Sequence, residues 1–432
     1  MEIKMKDYTT SLFEFIKKSP SAYHTVASVK ARLVAEGYVE LCEGSAWSLV
    51  EGGKYFVTRN GSSVIAFRCA ANARGFVITA SHSDSPSFRV KASGESCAGA
   101  YTRLPVERYG GMILYSWFDR PLSVAGRVVV RTEDGIASRL INIDRDLLVI
   151  PSVAIHLNRT VNEKFSPNPA QDLIPLLGAG GEHADLVALI AAELNVKAED
   201  IISHDLFLYA RDDGRVLGAD GELILSPRLD DLECVYSSLE AFLDAKEQGM
   251  IPVLAVFDNE EVGSDTKQGA ASTFLFDTLS RIFPQRDEYL AALASSYMVS
   301  ADNAHAKHPN HPELSDQDNA PTLNGGVVVK YNANQKYTTD SVSAAIFTEA
   351  CRAAGVKHQS YYNRADMPGG STLGSIASTK VSVSTVDVGL PQLAMHSAVE
   401  TAGARDLSDM ISVLTRLYSS YIDIKSDKIV IK

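Results

Sequence analysis

Five short segments of this chain end an apolar run in side chains that bind metals or move protons. They are His82-x-Asp84 after FVITA, Asp230-Asp231 in SPRLDDL, Glu260-Glu261 in AVFDNEEVGS, Asp302 in MVSADNAH, and His396 in LPQLAMHSAVET. Imidazole and carboxylate donors without thiolate suit Zn²⁺, with Mn²⁺ or Co²⁺ as substitutes. The number of carboxylates points to a pair of ions, because one bridging carboxylate, two others and two histidines are what two ions need. Adjacent glutamates let one side chain bind metal while the other takes the proton of an acidified water. His82 and Asp84 lie two apart on an extended segment and point the same way. Asp84 can therefore orient His82 through the ring nitrogen that does not bind metal.

Each feature has a plainer reading when taken alone. H-x-D is common, consecutive glutamates usually mark a solvated helix face, and His396 also fits a hydrogen-bonded core histidine. Their joint occurrence at five predicted strand ends favours the metal reading, since open α/β sheets place their sites at the carboxyl ends of strands.

The elements that must carry these residues follow from the patterning. Residues 8–40 have helical periodicity broken at Pro20 and ending at Gly37. KYFVTR and SVIAFRC read as strands joined by Asn60-Gly61, a strong hairpin signal, and Phe76–Ala80 reads as a buried strand. Roughly over residues 91–225 the texture changes to short β-like pieces (GMILYSW, GRVVVRT, LLVIPS), a loop-rich stretch and a helix around DLVALIAAEL. After Pro227 helices and strands alternate again, ending in the helix ARDLSDMISVLTRLYSSYID. The prediction is an α/β domain formed by residues 1–90 and 226–432, interrupted by a β-rich domain at 91–225.

Composition narrows the partners. A chain of 432 residues, 45% of them apolar, is too long for one ordinary domain and too apolar for disorder. Its 41 Lys+Arg against 53 Asp+Glu give a net charge of −12, which repels phosphate backbones and argues against nucleic acid and anionic membrane. No run approaches the ~20 apolar residues of a membrane helix, and the five scattered cysteines read as reduced thiols, so a cytoplasmic protein is expected.

ASHSDSPSFRVK, IPSVAIHLNR, SPRLDDL, FDNEEVGS, SADNAHAKHPN, GGVVVKYNANQKY and VDVGLPQLAMHSAVETAG together resemble the aspartyl aminopeptidase family, number eighteen among the metallopeptidases. The match runs from the N-terminal helices to the last one. The resemblance implies an exopeptidase with two zinc ions per subunit that releases the N-terminal residue of peptides. By it, His82, Asp230, Glu261, Asp302 and His396 hold metal, Asp230 as the bridge. Glu260 is the general base and Asp84 orients His82. It also implies a mixed-sheet catalytic domain, an inserted dimerisation domain, and assembly through dimers into a tetrahedral dodecamer. His156 in VAIHL, read as an apolar strand, matches a histidine that serves the neighbouring subunit's site, either steadying the tetrahedral intermediate or binding zinc. Lys330 matches a lysine near the substrate side-chain pocket, where a cation would favour N-terminal Asp or Glu. RADMPGGSTLGSI departs from the eukaryotic pattern at that pocket, where a Cys commonly precedes the turn, and this bears on the acidic preference. The rivals are another two-metal amide hydrolase, a deacylase or carboxypeptidase, and a catalytically silent assembly protein of the same fold.

Overall fold

The computed structural model describes residues 7–180, 183–246, 248–424 and 428–432. Contacts divide the chain into two compact units. The first comprises Met1–Asp84, Gly214–Met395 and Glu400–Lys432, and the second Ser85–Asp213 with His396–Val399. The first crossover lies earlier than residue 91 because Ser87–Val90 is a strand of the second unit's sheet, paired with Val106–Tyr109.

The first unit is built on a nine-stranded mixed sheet. Its strands lie in the order Val39–Leu41, Lys54–Arg59, Ser63–Arg68, Ile251–Phe257, Phe76–His82, Tyr297–Ala301, Ser384–Gly389, Val327–Tyr331 and His358–Tyr362. Four central neighbours, Ile251–Phe257, Phe76–His82, Tyr297–Ala301 and Ser384–Gly389, run parallel. These strands are apolar on both sides, as helices on both faces require. Val77, Leu254, Val299 and Val386 pack with the helices Leu229–Asp244, Ser341–Ala354 and Asp406–Tyr418. One residue along, Ile78, Val253 and Met298 face the opposite side, against Phe274–Ile282 and Leu373–Lys380. The predicted hairpin pairs antiparallel, with Asn60 and Gly61 both at positive φ.

A smaller five-stranded sheet in the same unit contains Leu223–Ser226, Glu400–Gly403 and Pro391–Leu393. It alters one expectation, because Asp230 and Asp231 are not at a strand end. The strand before them stops at Ser226 and pairs with Glu400–Gly403. Both aspartates lie instead in the first turn of Leu229–Asp244, with non-helical backbone angles and a cis peptide bond between them. Two helices were also not foreseen. Arg286–Ala294 buries only Tyr289 and Ala292, so its sequence carries little periodicity. Leu373–Lys380 is short and lies behind a glycine-rich turn.

The second unit holds a five-stranded antiparallel sheet, ordered Gly135–Asn142, Leu122–Thr132, Ile201–Ala210, Ser87–Val90 and Val106–Tyr109. A three-stranded sheet and the helix Leu186–Leu194 complete it, the helix capped by the Asp185 side chain on Ala188 N. Two expectations fail here. GMILYSW forms a 3-10 turn at Leu114–Trp117, closed by Ser116 Oγ donating to the Ile113 carbonyl at 2.7 Å. VAIHL is not a strand but an exposed turn, with Val153, Ile155 and Leu157 all largely exposed, and His156 exposed with them.

Candidate metal centre

The parallel strands bring their carboxyl ends level. Phe257 pairs with His82 across Ile251–Phe257 and Phe76–His82, and Ser300 pairs with Ala80 on the next strand. Consequently the residues that follow, Asp258 to Glu261, Ser83 to Asp84, and Asp302, leave the sheet at the same edge. Asp230 and Asp231 reach that edge from the helix start. His82, Asp230, Asp231 and Asp302 each offer a ligand atom within 4.8 Å of the others, and all four are buried. His82, Glu260 and Glu261 form a second such group.

The ring of His82 is oriented by its neighbours. Nδ1 donates to the Asp84 carbonyl at 3.1 Å, with Asp84 Oδ1 at 3.4 Å, so Nε2 is the nitrogen turned toward the acidic group. It faces Asp230 Oδ1 at 3.4 Å and Asp231 Oδ2 at 3.9 Å. The Asp84 carboxylate accepts the backbone N–H of Glu260 and that of Glu261, both at 3.2 Å. Asp84 therefore ties the histidine strand to the turn Glu260–Val262 and fixes both glutamates relative to His82.

Three further side chains hold the cluster without having been singled out from the sequence for that purpose. Asp231, fully buried, accepts His82 N at 3.0 Å. Glu400 accepts Asp230 N at 3.0 Å. Asn303 donates to the Leu229 carbonyl and to Gln392 Oε1, stitching the strand exit to the helix start. Lys330 is 2% exposed, donates to the Asn303 carbonyl at 3.1 Å and stands 3.9 Å from Asp302 Oδ2. Its ammonium is thus engaged as the counter-charge of Asp302.

In the second unit, His396 Nδ1 meets the Gly111 carbonyl at 2.5 Å. A carbonyl only accepts, so Nδ1 carries the proton and Nε2 is the ligand-type nitrogen. His156 lies in the exposed turn described above.

Electrostatics test whether a cation fits the first group. Burial pushes the Asp231 carboxyl well above the ordinary range, with Asp302 and Asp230 adding to the rise and His82 opposing it. Burial likewise raises Asp302, against the pull of Lys330, and takes Glu260 up to about 8. Burial acts to lower His82, but Asp231, Asp230 and Asp84 hold it well above its usual value. Carboxylates confined at this density repel one another, and a divalent cation among them offsets that repulsion. The donor set of imidazole and carboxylate oxygen is one that zinc accepts.

The family model described as "Aminopeptidase I zinc metalloprotease (M18)" matches residues 15–418. A protein of Clostridium acetobutylicum named "Probable M18 family aminopeptidase 2" is 45% identical over 93% of this chain and 96% of its own length. Among solved structures, the chain resembles one from the cryo-EM structure of the Ape4 and Nbr1 complex, with a TM-score of 0.93 and 35% identity over 97% of this chain and 87% of that one. It also resembles the S. cerevisiae mApe1 dodecamer, with a TM-score of 0.84 and 26% identity over 95% of this chain and 96% of that one.

Proposed function

Because the chain belongs to the M18 family of zinc aminopeptidases, we propose that it removes the N-terminal residue of peptides with two zinc ions per subunit. The proposed ligands are His82, Asp230, Glu261, Asp302 and His396, with Asp230 as the bridge. The observation that carries this reading is the buried group of His82, Asp230, Asp231 and Asp302, with Glu260 and Glu261 against the same histidine. Bound zinc supplies Lewis acidity toward the scissile carbonyl and lowers the pKa of the attacking water. Glu260 accepts that water's proton and returns it to the leaving amine. Asp84 keeps Glu260 in place through the backbone of its turn, and its carbonyl holds the His82 tautomer. Lys330 stands beside Asp302 as its counter-charge and favours its ionised form.

The same proposal extends to assembly and specificity. The second unit mediates dimers that build a tetrahedral dodecamer, a reading supported by a structural neighbour that is named a dodecamer. His156 serves the site of an adjacent subunit, an idea supported by its exposure. A preference for N-terminal Asp or Glu, if Lys330 supplied it directly, would need the ammonium to face substrate; its burial favours a role on Asp302 and leaves acidic preference to the zinc ions and neighbouring loops. Among the described residues no helix is long and apolar enough to cross a membrane. A cytoplasmic location is part of the proposal.

The test is hydrolysis of a panel of aminoacyl chromogenic amides, beside N-acyl amino acids and C-terminal substrates, before and after chelation. Cleavage of the free-amine amides alone, lost with a chelator and restored by zinc, is the expected outcome. Cleavage confined to N-acyl amino acids would make it a deacylase, and no turnover with zinc bound would make it an assembly protein.

A further inference from the structure

Asp387 lies in the strand Ser384–Gly389, is fully buried, and belongs to neither metal-type group of the first unit. Its carboxylate accepts at two places far apart in sequence. Oδ1 takes the hydroxyl of Thr372 at 2.6 Å, and Oδ2 takes the backbone N–H of Thr338 at 2.5 Å. The same loop is pinned twice more, with Asp387 N donating to Thr339 Oγ1 at 2.9 Å and Thr338 Oγ1 donating to the Thr385 carbonyl at 3.0 Å. Thr372 precedes the helix Leu373–Lys380, and Gly374 lets that helix come close. A Cβ there would stand 2.7 Å from Asp387 Oδ1 and 2.6 Å from Ser300.

One carboxylate thus joins two loops, residues 332–340 and 363–372, to the centre of the sheet. The loops also meet each other, through Asn332 Nδ2 donating to Asn363 Oδ1 at 3.2 Å, and a Cβ on Gly369 would strike Asn363 Oδ1. The first loop carries Tyr337, whose ring centre is 5.3 Å from the Lys330 ammonium, and Lys330 reaches Asp302. The first loop therefore stands beside the metal group, on the side of Asp302, and the second is joined to it. An N-terminal residue whose amine and carbonyl engage that group must project its side chain against one of the group's flanks. On this flank the loops are held by charge-assisted hydrogen bonds to a buried anchor.

We propose that Asp387 is a positioning residue that sets which N-terminal side chain the site accepts, by clamping residues 332–340 and 363–372 against the sheet. This rests on the aminopeptidase reading. Loss of one clamp bond frees a loop without touching a metal ligand, so the effect should fall on substrate fit and not on the chemical step.

The experiment compares the full-length, zinc-loaded protein with Thr372→Val, Thr372→Ser and Asp387→Asn on amides of all N-terminal residues, with bound zinc measured in each. Thr372→Val keeps shape but removes the hydroxyl, and Thr372→Ser restores it. The expected result is unchanged zinc in Thr372→Val and a relative kcat/KM between N-terminal residues that moves by about tenfold. KM should carry that change, as loss of one hydrogen bond to a charged group would, with Thr372→Ser close to wild type. Asp387→Asn should shift the same ratios. Unaltered ratios in Thr372→Val, or a uniform fall in kcat for every residue, would overturn the proposal whatever Asp387→Asn does. A wild-type protein that cleaves none of the amides would instead refute the aminopeptidase reading itself.

Discussion

Glu260 and Glu261 are chain neighbours with backbone N–H groups bonded to one carboxylate, that of Asp84. The turn is therefore held by the main chain and does not depend on what the Glu260 side chain is. Glu260→Gln should keep the shape of the site and its zinc while removing the proton acceptor. A fall in kcat of about a thousandfold is expected, within the range that general bases contribute, with zinc content by elemental analysis equal to wild type. Activity within tenfold of wild type would remove Glu260 from the role of base. Around this pair, Asp231, Glu400 and Asn303 have a common duty. Each bonds a buried backbone group, and in doing so fixes a neighbouring ligand-type residue.

At the level of elements, the position of Asp302 depends on how closely two strands approach. Asp302 N donates to the Val388 carbonyl at 3.0 Å, and Ala304 N to that of Leu390 at 2.8 Å. Gly389 lies between these bonds, and a Cβ there would meet the Asp302 carbonyl oxygen at 2.0 Å. Gly389→Ala should push the Asp302 segment off the sheet, costing about 1–3 kcal/mol of stability as overpacking does and weakening zinc retention during dialysis. A variant with wild-type stability and zinc would show that the strands can separate freely. The helix Ala22–Ala35 offers a pH-dependent counterpart. His24 Nδ1 is 2.8 Å from Ser21 Oγ at its start, and burial, helped by Arg228, pushes the imidazole down to about 4. The folded chain favours neutral His24, so its contribution is complete above about pH 6.5 and is lost as pH falls toward 4. Thermal unfolding of His24→Asn should show a shallower loss of stability between those pH values than wild type. Identical pH slopes would exclude His24 as a source of acid lability.

For the whole molecule, three of the exposed apolar side chains of the second unit share the turn that carries His156. Val153, Ile155 and Leu157 are exposed there, Leu157 by 83%. Isolated exposed apolar residues are ordinary, but several on one turn suit a contact with another copy of the chain. Light scattering of the wild type is expected to give a dodecamer, and Leu157→Asp a smaller species. A monomeric wild type would refute the assembly. The net charge of −12 includes Asp230, Glu260, Glu261 and Asp302, which the proposed function assigns to the metal site.

Membership of a zinc aminopeptidase family was legible from the chain alone, as were the ligand-type residues that the structure gathers. A strand signal such as FVITA is local, and the residues just after it, His82 and Asp84, must leave the sheet at its end. Glu260 and Glu261 follow their strand in the same way. Asp230 was recognisable by type but not by element, because the strand before it belongs to a different sheet. The apolar turn around His156 was misread because alternation of apolar residues looks the same whether they face a core or solvent. What holds the site was invisible for a different reason. The bonds from His82 N to Asp231 and from Asp230 N to Glu400 join residues 149 and 170 positions apart. The burial that turns Lys330 toward Asp302, and Asp387 into an anchor for two loops, exists only once the sheet has assembled around them. Sequence determined which chemistry the side chains can perform, whereas tertiary structure decided which of them meet, because hydrogen bonds across a sheet follow distances in space and leave no periodic mark along the chain.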